Sequence, residues 1–187
     1  MSIRTLFRGA LALCAVGFFA ANAEAQTLSN ISNITLNASA AQTLTVSVTS
    51  GSTVNFVLAQ GAAAAGDVSP AVSTSWNLNP GLTGAVTLFG YFNTPSAALT
   101  DGTYDIASTY VEGRMTTGAV ATYAPFTQTN AVGPASGSLL LFTENVTGVN
   151  KIKTRSDNLD LQINLAASPT VPASTYTGTL RIQARAL

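Results

Sequence analysis

Carboxylates offer the chemistry most worth weighing in this chain. Asp101-Gly102-Thr103-Tyr104-Asp105 and Asp157-Asn158-Leu159-Asp160 each set two of them beside a turn. Such oxygens can ligate calcium, and two carboxyls at the right separation can hydrolyse a glycoside. Neither run matches the twelve-residue calcium loop, and Asp-Gly forms turns on its own account. Turn chemistry is the expectation. The chain contains no His, and its one cysteine is Cys14. That excludes Ser-His-Asp and Cys-His catalysis, Cys/His zinc sites and His-ligated haem. No catalytic, metal-binding or cofactor-binding residue is expected, and the protein is not expected to be an enzyme.

The first 25 residues read as a removable signal peptide. Arg4 and Arg8 precede an apolar run from Ala10 to Ala21, and Ala23-Glu24-Ala25 supplies small residues before a cut at Gln26. Ala21-Asn22-Ala23 offers a second cut. The apolar run is too short to span a bilayer, bulky Leu13 before Cys14 argues against a lipid anchor, and no later stretch reaches transmembrane length. A secreted or cell-surface protein is expected. Taking 25 residues from 187 leaves 162, with 6 Lys+Arg and 7 Asp+Glu. A nucleic-acid binder would show a basic excess, so nucleic acid is not an expected partner. The remaining length suits one domain that can bury a core without disulfides.

The elements that carry these residues read as strands. The mature chain holds 25 Thr and 16 Ser against 13 charged residues, a composition of pleated surfaces rather than helix exteriors. Leu44, Val46 and Val48 alternate with polar residues, Gly51-Ser52 turns, and Val54, Phe56 and Leu58 resume, which predicts a hairpin. Val72, Trp76 and Leu78 precede an Asn79-Pro80-Gly81 turn; Val86 to Phe92 is apolar on both faces and predicts a central strand. Tyr104 to Val111, Leu139 to Val146, Leu159 to Leu165 and Tyr176 to Ala186 add four more, and a Pro-containing loop permits the last two to pair antiparallel. Ala62 to Ala65 reads as loop. Seven to nine strands without a composition break predict an all-β, immunoglobulin-like antiparallel β-sandwich over residues 43–187.

Residues 26–42 form an N-terminal extension in which Ile34, Leu36, Ala38 and Ala40 alternate with Thr35, Asn37 and Ser39. No charge occurs between Gln26 and Gly66, and no Lys or Pro guards this stretch against pairing with another chain. Three fates are open to it: first strand of its own sheet, disordered tail, or donor strand completing the sheet of a neighbouring subunit. In the third case Ile34, Leu36, Ala38 and Ala40 form the inserted row.

The run Val171-Pro172-Ala173-Ser174-Thr175-Tyr176-Thr177-Gly178-Thr179-Leu180-Arg181-Ile182 resembles the closing strand of secreted bacterial proteins of the spore coat U and chaperone-usher fimbrial type. In that family a Pro-Ala-Gly-Thr-Tyr run leads into the last strand. The likeness is strongest over about 20 residues. Ser174 stands where the family favours Gly, and the disulfide often seen there has no counterpart. The resemblance implies an incomplete immunoglobulin-like fold, export through the periplasm, and self-polymerisation by donor-strand exchange with a periplasmic chaperone and an outer-membrane usher. A contact of that head-to-tail kind, repeated without closing, makes a filament.

The expected function is therefore a structural subunit of an extracellular, pilus-like filament. Its rival is a monomeric secreted module of the same fold that binds carbohydrate or a surface protein through loops carrying Tyr110, Tyr123 and Phe126. Five of the six mature cations, Lys151, Lys153, Arg155, Arg181 and Arg185, fall in the last 37 residues. They either orient docking or solvate strand faces. Asn30, Asn33, Asn37 and Asn145 each open a glycosylation triplet, and a glycan at Asn33 or Asn37 would obstruct strand donation.

Overall fold

Alternating Thr, Val and Ile become pleated strands because branched side chains pack well on a half-buried pleat. The computed structural model describes residues 30–187 apart from 82 and 169, so the expected signal peptide, residues 1–25, lies outside the described residues. The strands are β1 Thr43–Ser50, β2 Ala63–Ala65, β3 Ala71–Asn77, β4 Gly84–Tyr91, β5 Leu99–Thr100, β6 Asp105–Ile106 and β7 Val111–Arg114. They continue with β8 Ala124–Pro125, β9 Ser138–Val146, β10 Ile152–Asn158, β11 Asp160–Asn164, β12 Thr177–Gly178 and β13 Arg181–Ala186. Two 3₁₀ turns, Pro95–Ala97 and Ser108–Tyr110, are the helical elements among the described residues. No described helix is long and apolar enough to cross a membrane. Chain contacts divide at Ser39, and Ala40–Leu187 form one compact unit.

The fold is all-β, antiparallel and sandwich-like, as the alternation predicts. One sheet runs β1-β3-β10 and another β13-β4-β9. After Leu159 the chain leaves β3 and, as β11, pairs with β2 and β7, with β8 at the end of that sheet; β12, β5 and β6 form a small fourth. Their inward rows meet in one core that includes Val72 and Trp76 of β3, Leu88 of β4 and Leu159 before β11. The Trp76 indole N–H, buried with its ring, donates to the Asn150 carbonyl at 2.8 Å. β4 is central, as its two apolar faces require. The pairing register of β4 with β9 shifts between Leu88 and Phe89, which leaves Leu141 as the extra residue. The bulge buries Leu141 and Phe142 in succession, and the Leu141 carbonyl it frees accepts from the Ala119 N–H at 2.8 Å.

Phe126 is fully buried, so it does not serve a surface loop as the binding-module reading had it. A Cβ on Gly90 would stand 2.8 Å from its ring and one on Gly113 3.0 Å. The ring thus occupies the room that two side-chain-free strand positions leave, and Phe92 meets it edge-on at 5.3 Å and 80°.

Three further expectations change, and a pairing left open is decided. The 44–58 hairpin does not form: β1 pairs with β3, because Gly51, at φ +68° and packed on Pro70, carries the chain onward instead of back. Ala63–Ala65 is a strand rather than a loop, held by β11. Residues 104–111 break into β6 and a 3₁₀ turn before β7. β11 and β13 lie in different sheets. β10 escaped the sequence reading because Lys153, Arg155 and Asp157 interrupt its apolar signal.

Candidate functional site

Seven residues after β1, 52–58, make one wall of an open groove. Val54, Phe56 and Leu58 are half-buried while Asn55 and Val57 are exposed, the period of a strand, yet the stretch belongs to no sheet. Among the described residues, its backbone hydrogen bonds from 54 to 58 are those of Asn55 with Asp67. The other wall is 172–182, ending in β13, whose second edge no described strand pairs. Between the walls lies a cavity of about 1190 Å³ floored by Phe92, Leu99, Val111, Leu161 and Ile163. At one end the Gln60 side chain brackets Val171, accepting from its N–H at 3.2 Å and donating to its carbonyl. At the other, β1 lies against β13. The two walls therefore run antiparallel.

Among the described residues no charged one lines this groove. The opposite edge of the sandwich contrasts sharply. There Arg155 of β10 grips Asp157 with Nε and Nη2 at 2.6 and 2.9 Å, stacks its guanidinium 4.4 Å over the Phe142 ring and reaches Glu144 of β9; Lys153 also pairs with Glu144. Charges on an edge oppose pairing with another chain. On the groove side β13 carries Arg181 and Arg185, but neither is among the residues that line the groove.

Three of the four carboxylates singled out in the sequence, Asp101, Asp157 and Asp160, have partners of their own. Asp101 caps its own turn, accepting from the Thr103 and Tyr104 N–H groups at 2.8 and 2.7 Å, bonds that hold its carboxyl below the ordinary range. Asp157 serves Arg155, whereas Asp160 takes the Ser69 hydroxyl and the Arg114 Nε at 2.8 Å. Among the described residues no three metal-binding side chains cluster. Tyr110 is half-buried against the core, and Tyr123 lies under the Arg114 guanidinium at 4.6 Å.

Ser69 first and then Arg114 hold Asp160 below its ordinary pKa. Burial alone would raise Glu144, but Lys153, Asn150 and Arg155 outweigh it and lower the value. A carboxylate whose folded pKa is depressed contributes stability above its unfolded pKa and loses it as pH falls through the folded one. The thermal midpoint is therefore expected to fall with acid below about pH 4.5. Asp160→Asn should flatten that acid limb in a pH series of melting curves.

Ile34, Leu36, Ala38 and Ala40 are all exposed, Ile34 at 84% and Leu36 at 88%. Among the described residues they belong to no strand, since alternation defines a face but a ladder needs a partner. The groove walls were legible only in part. Val54, Phe56 and Leu58 stood out by period, but nothing in their spacing reveals that they lack a neighbour. Gln60 and Asp67 carried no signal as site residues. No family model matches the chain, and no curated protein or solved structure is significantly similar to it.

Proposed function

We propose that this protein is a secreted structural subunit that assembles into a filament by strand donation. The segment 34–40 of one copy enters the groove between 52–58 and 172–182 of the next. The observation that carries the reading is the uncharged, largely apolar groove between the unpaired stretch 52–58 and the stretch 172–182. A strand rises about 3.3 Å per residue, so residues 34–40 extend over roughly the length of the seven-residue wall 52–58. Four apolar side chains at alternate positions then face the floor, and the backbone bonds both walls, parallel to one and antiparallel to the other. Neutral donor and neutral groove agree, because a charge carried into such a groove would lose its hydration without a counterion.

An open apolar groove also invites non-specific association before assembly. That supports a role for a periplasmic chaperone that covers it and for an outer-membrane usher where subunits exchange partners. The test is negative-stain electron microscopy of the native secreted material beside an unboiled denaturing gel. Regular filaments with a heat-sensitive ladder are expected. Deleting residues 26–41 should abolish the ladder, and a peptide of that sequence should occupy the vacated grooves without restoring polymers. Uniform monomers at high concentration would reject the proposal in favour of a monomeric binding module.

A further inference from the structure

We infer that Asn55 and Asp67 form a latch that holds the free wall of the groove in strand geometry before a donor arrives. The inference rests on the strand-accepting reading above and names the pair that positions its wall. Residues 54–58 keep a strand's alternation without a ladder to impose it. What replaces the ladder is a three-bond bracket. The Asp67 carboxylate accepts the Asn55 backbone N–H at 2.8 Å and the Asn55 side-chain amide at 2.9 Å, while the Asp67 N–H donates to the Asn55 carbonyl at 3.0 Å. One carboxylate oxygen thus stands where a neighbouring strand would present a carbonyl.

The side on which the latch acts is what makes it useful. In a strand, the backbone groups of successive residues point to opposite edges. With Asn55 turned toward Asp67, the N–H and C=O groups of Val54 and Phe56 turn the other way, toward the gap. Gly66, next to the latch, lets the wall lie close: a Cβ there would stand 2.4 Å from the Val54 Cγ1. Asp67 is also the first charged residue after Glu24, and it sits on the outer, exposed side of the wall rather than in the groove. It orders the wall without putting a charge where the donor must go.

A wall held in the binding-competent shape raises the association rate, because the donor need not wait for a minor conformer. The test uses the full chain carrying Leu36→Asp, so that its own extension does not compete, with a fluorescent peptide of residues 30–42 as probe. Adding Asp67→Ala is expected to slow peptide association about tenfold while dissociation changes by less than about threefold. Asp67→Asn should restore most of the rate, since an amide can still accept the Asn55 N–H and donate to the Asn55 side-chain oxygen. Asn55→Ala, at an exposed position, removes one bond of the bracket and should show a smaller slowing in the same direction. Equal association rates with and without Asp67→Ala would overturn the latch and leave strand acceptance standing. No peptide binding to the Leu36→Asp chain would overturn the strand-accepting reading itself, and the latch with it.

Discussion

Leu36→Asp is expected to abolish polymers while leaving the subunit's own fold intact. In the subunit, Leu36 is exposed and outside every described strand, so the exchange removes no core contact. In the proposed filament the same side chain faces the apolar floor of a neighbour's groove, which has no Lys or Arg among its described lining residues. An ionised carboxylate there would be buried without a partner, at a cost of several kcal/mol. Even about 3 kcal/mol is more than a hundredfold in the affinity of each subunit contact. A filament multiplies that loss at every joint. Electron microscopy and the unboiled gel should show monomers with unchanged circular dichroism, whereas Leu36→Val should still polymerise. Filaments of the Asp variant would mean that the segment is a bystander.

Phe126→Ala should be the most damaging single truncation of the core, costing about 3–5 kcal/mol. Its ring is fully buried and fills the space beside Gly90 and Gly113 on two strands. Neither glycine has a side chain that can swing into the space, and both backbones are held in ladders, Gly90 opposite Ile182 and Leu139, Gly113 opposite Leu161 and Ala124. The cavity would stay open, which is the condition under which large-to-small changes cost most. Urea unfolding should show a lower midpoint at an unchanged slope. A loss below about 1.5 kcal/mol would mean that the site collapses after all. Because Phe92 meets Phe126 edge-on and also floors the groove, the same variant should weaken peptide binding even where it remains folded.

These two experiments divide along what could be read from residues and what could not. Thr-rich period-two runs and the absence of His determine an all-β chain without imidazole chemistry, because a side-chain period is a local property. Residues 86–92, apolar on both faces, announced a central strand, and β4 is one. The neutral alternating row Ile34, Leu36, Ala38 and Ala40 was likewise visible at once. Pairing was not. Alternation tells a strand which face to bury and says nothing of which strand lies along each edge. So the 44–58 hairpin, plausible from its turn residues, gave way to β1 on β3 once Gly51 turned the chain onward. The bare wall at 54–58, the Asn55–Asp67 bracket across 12 residues and the Gln60 bracket across 111 exist only when distant segments meet. Phe126 belonged to a loop by its neighbours and to the core by two glycines, Gly90 and Gly113, that only the fold sets beside it. An unpaired stretch is a property of edges, and edges are made by tertiary structure.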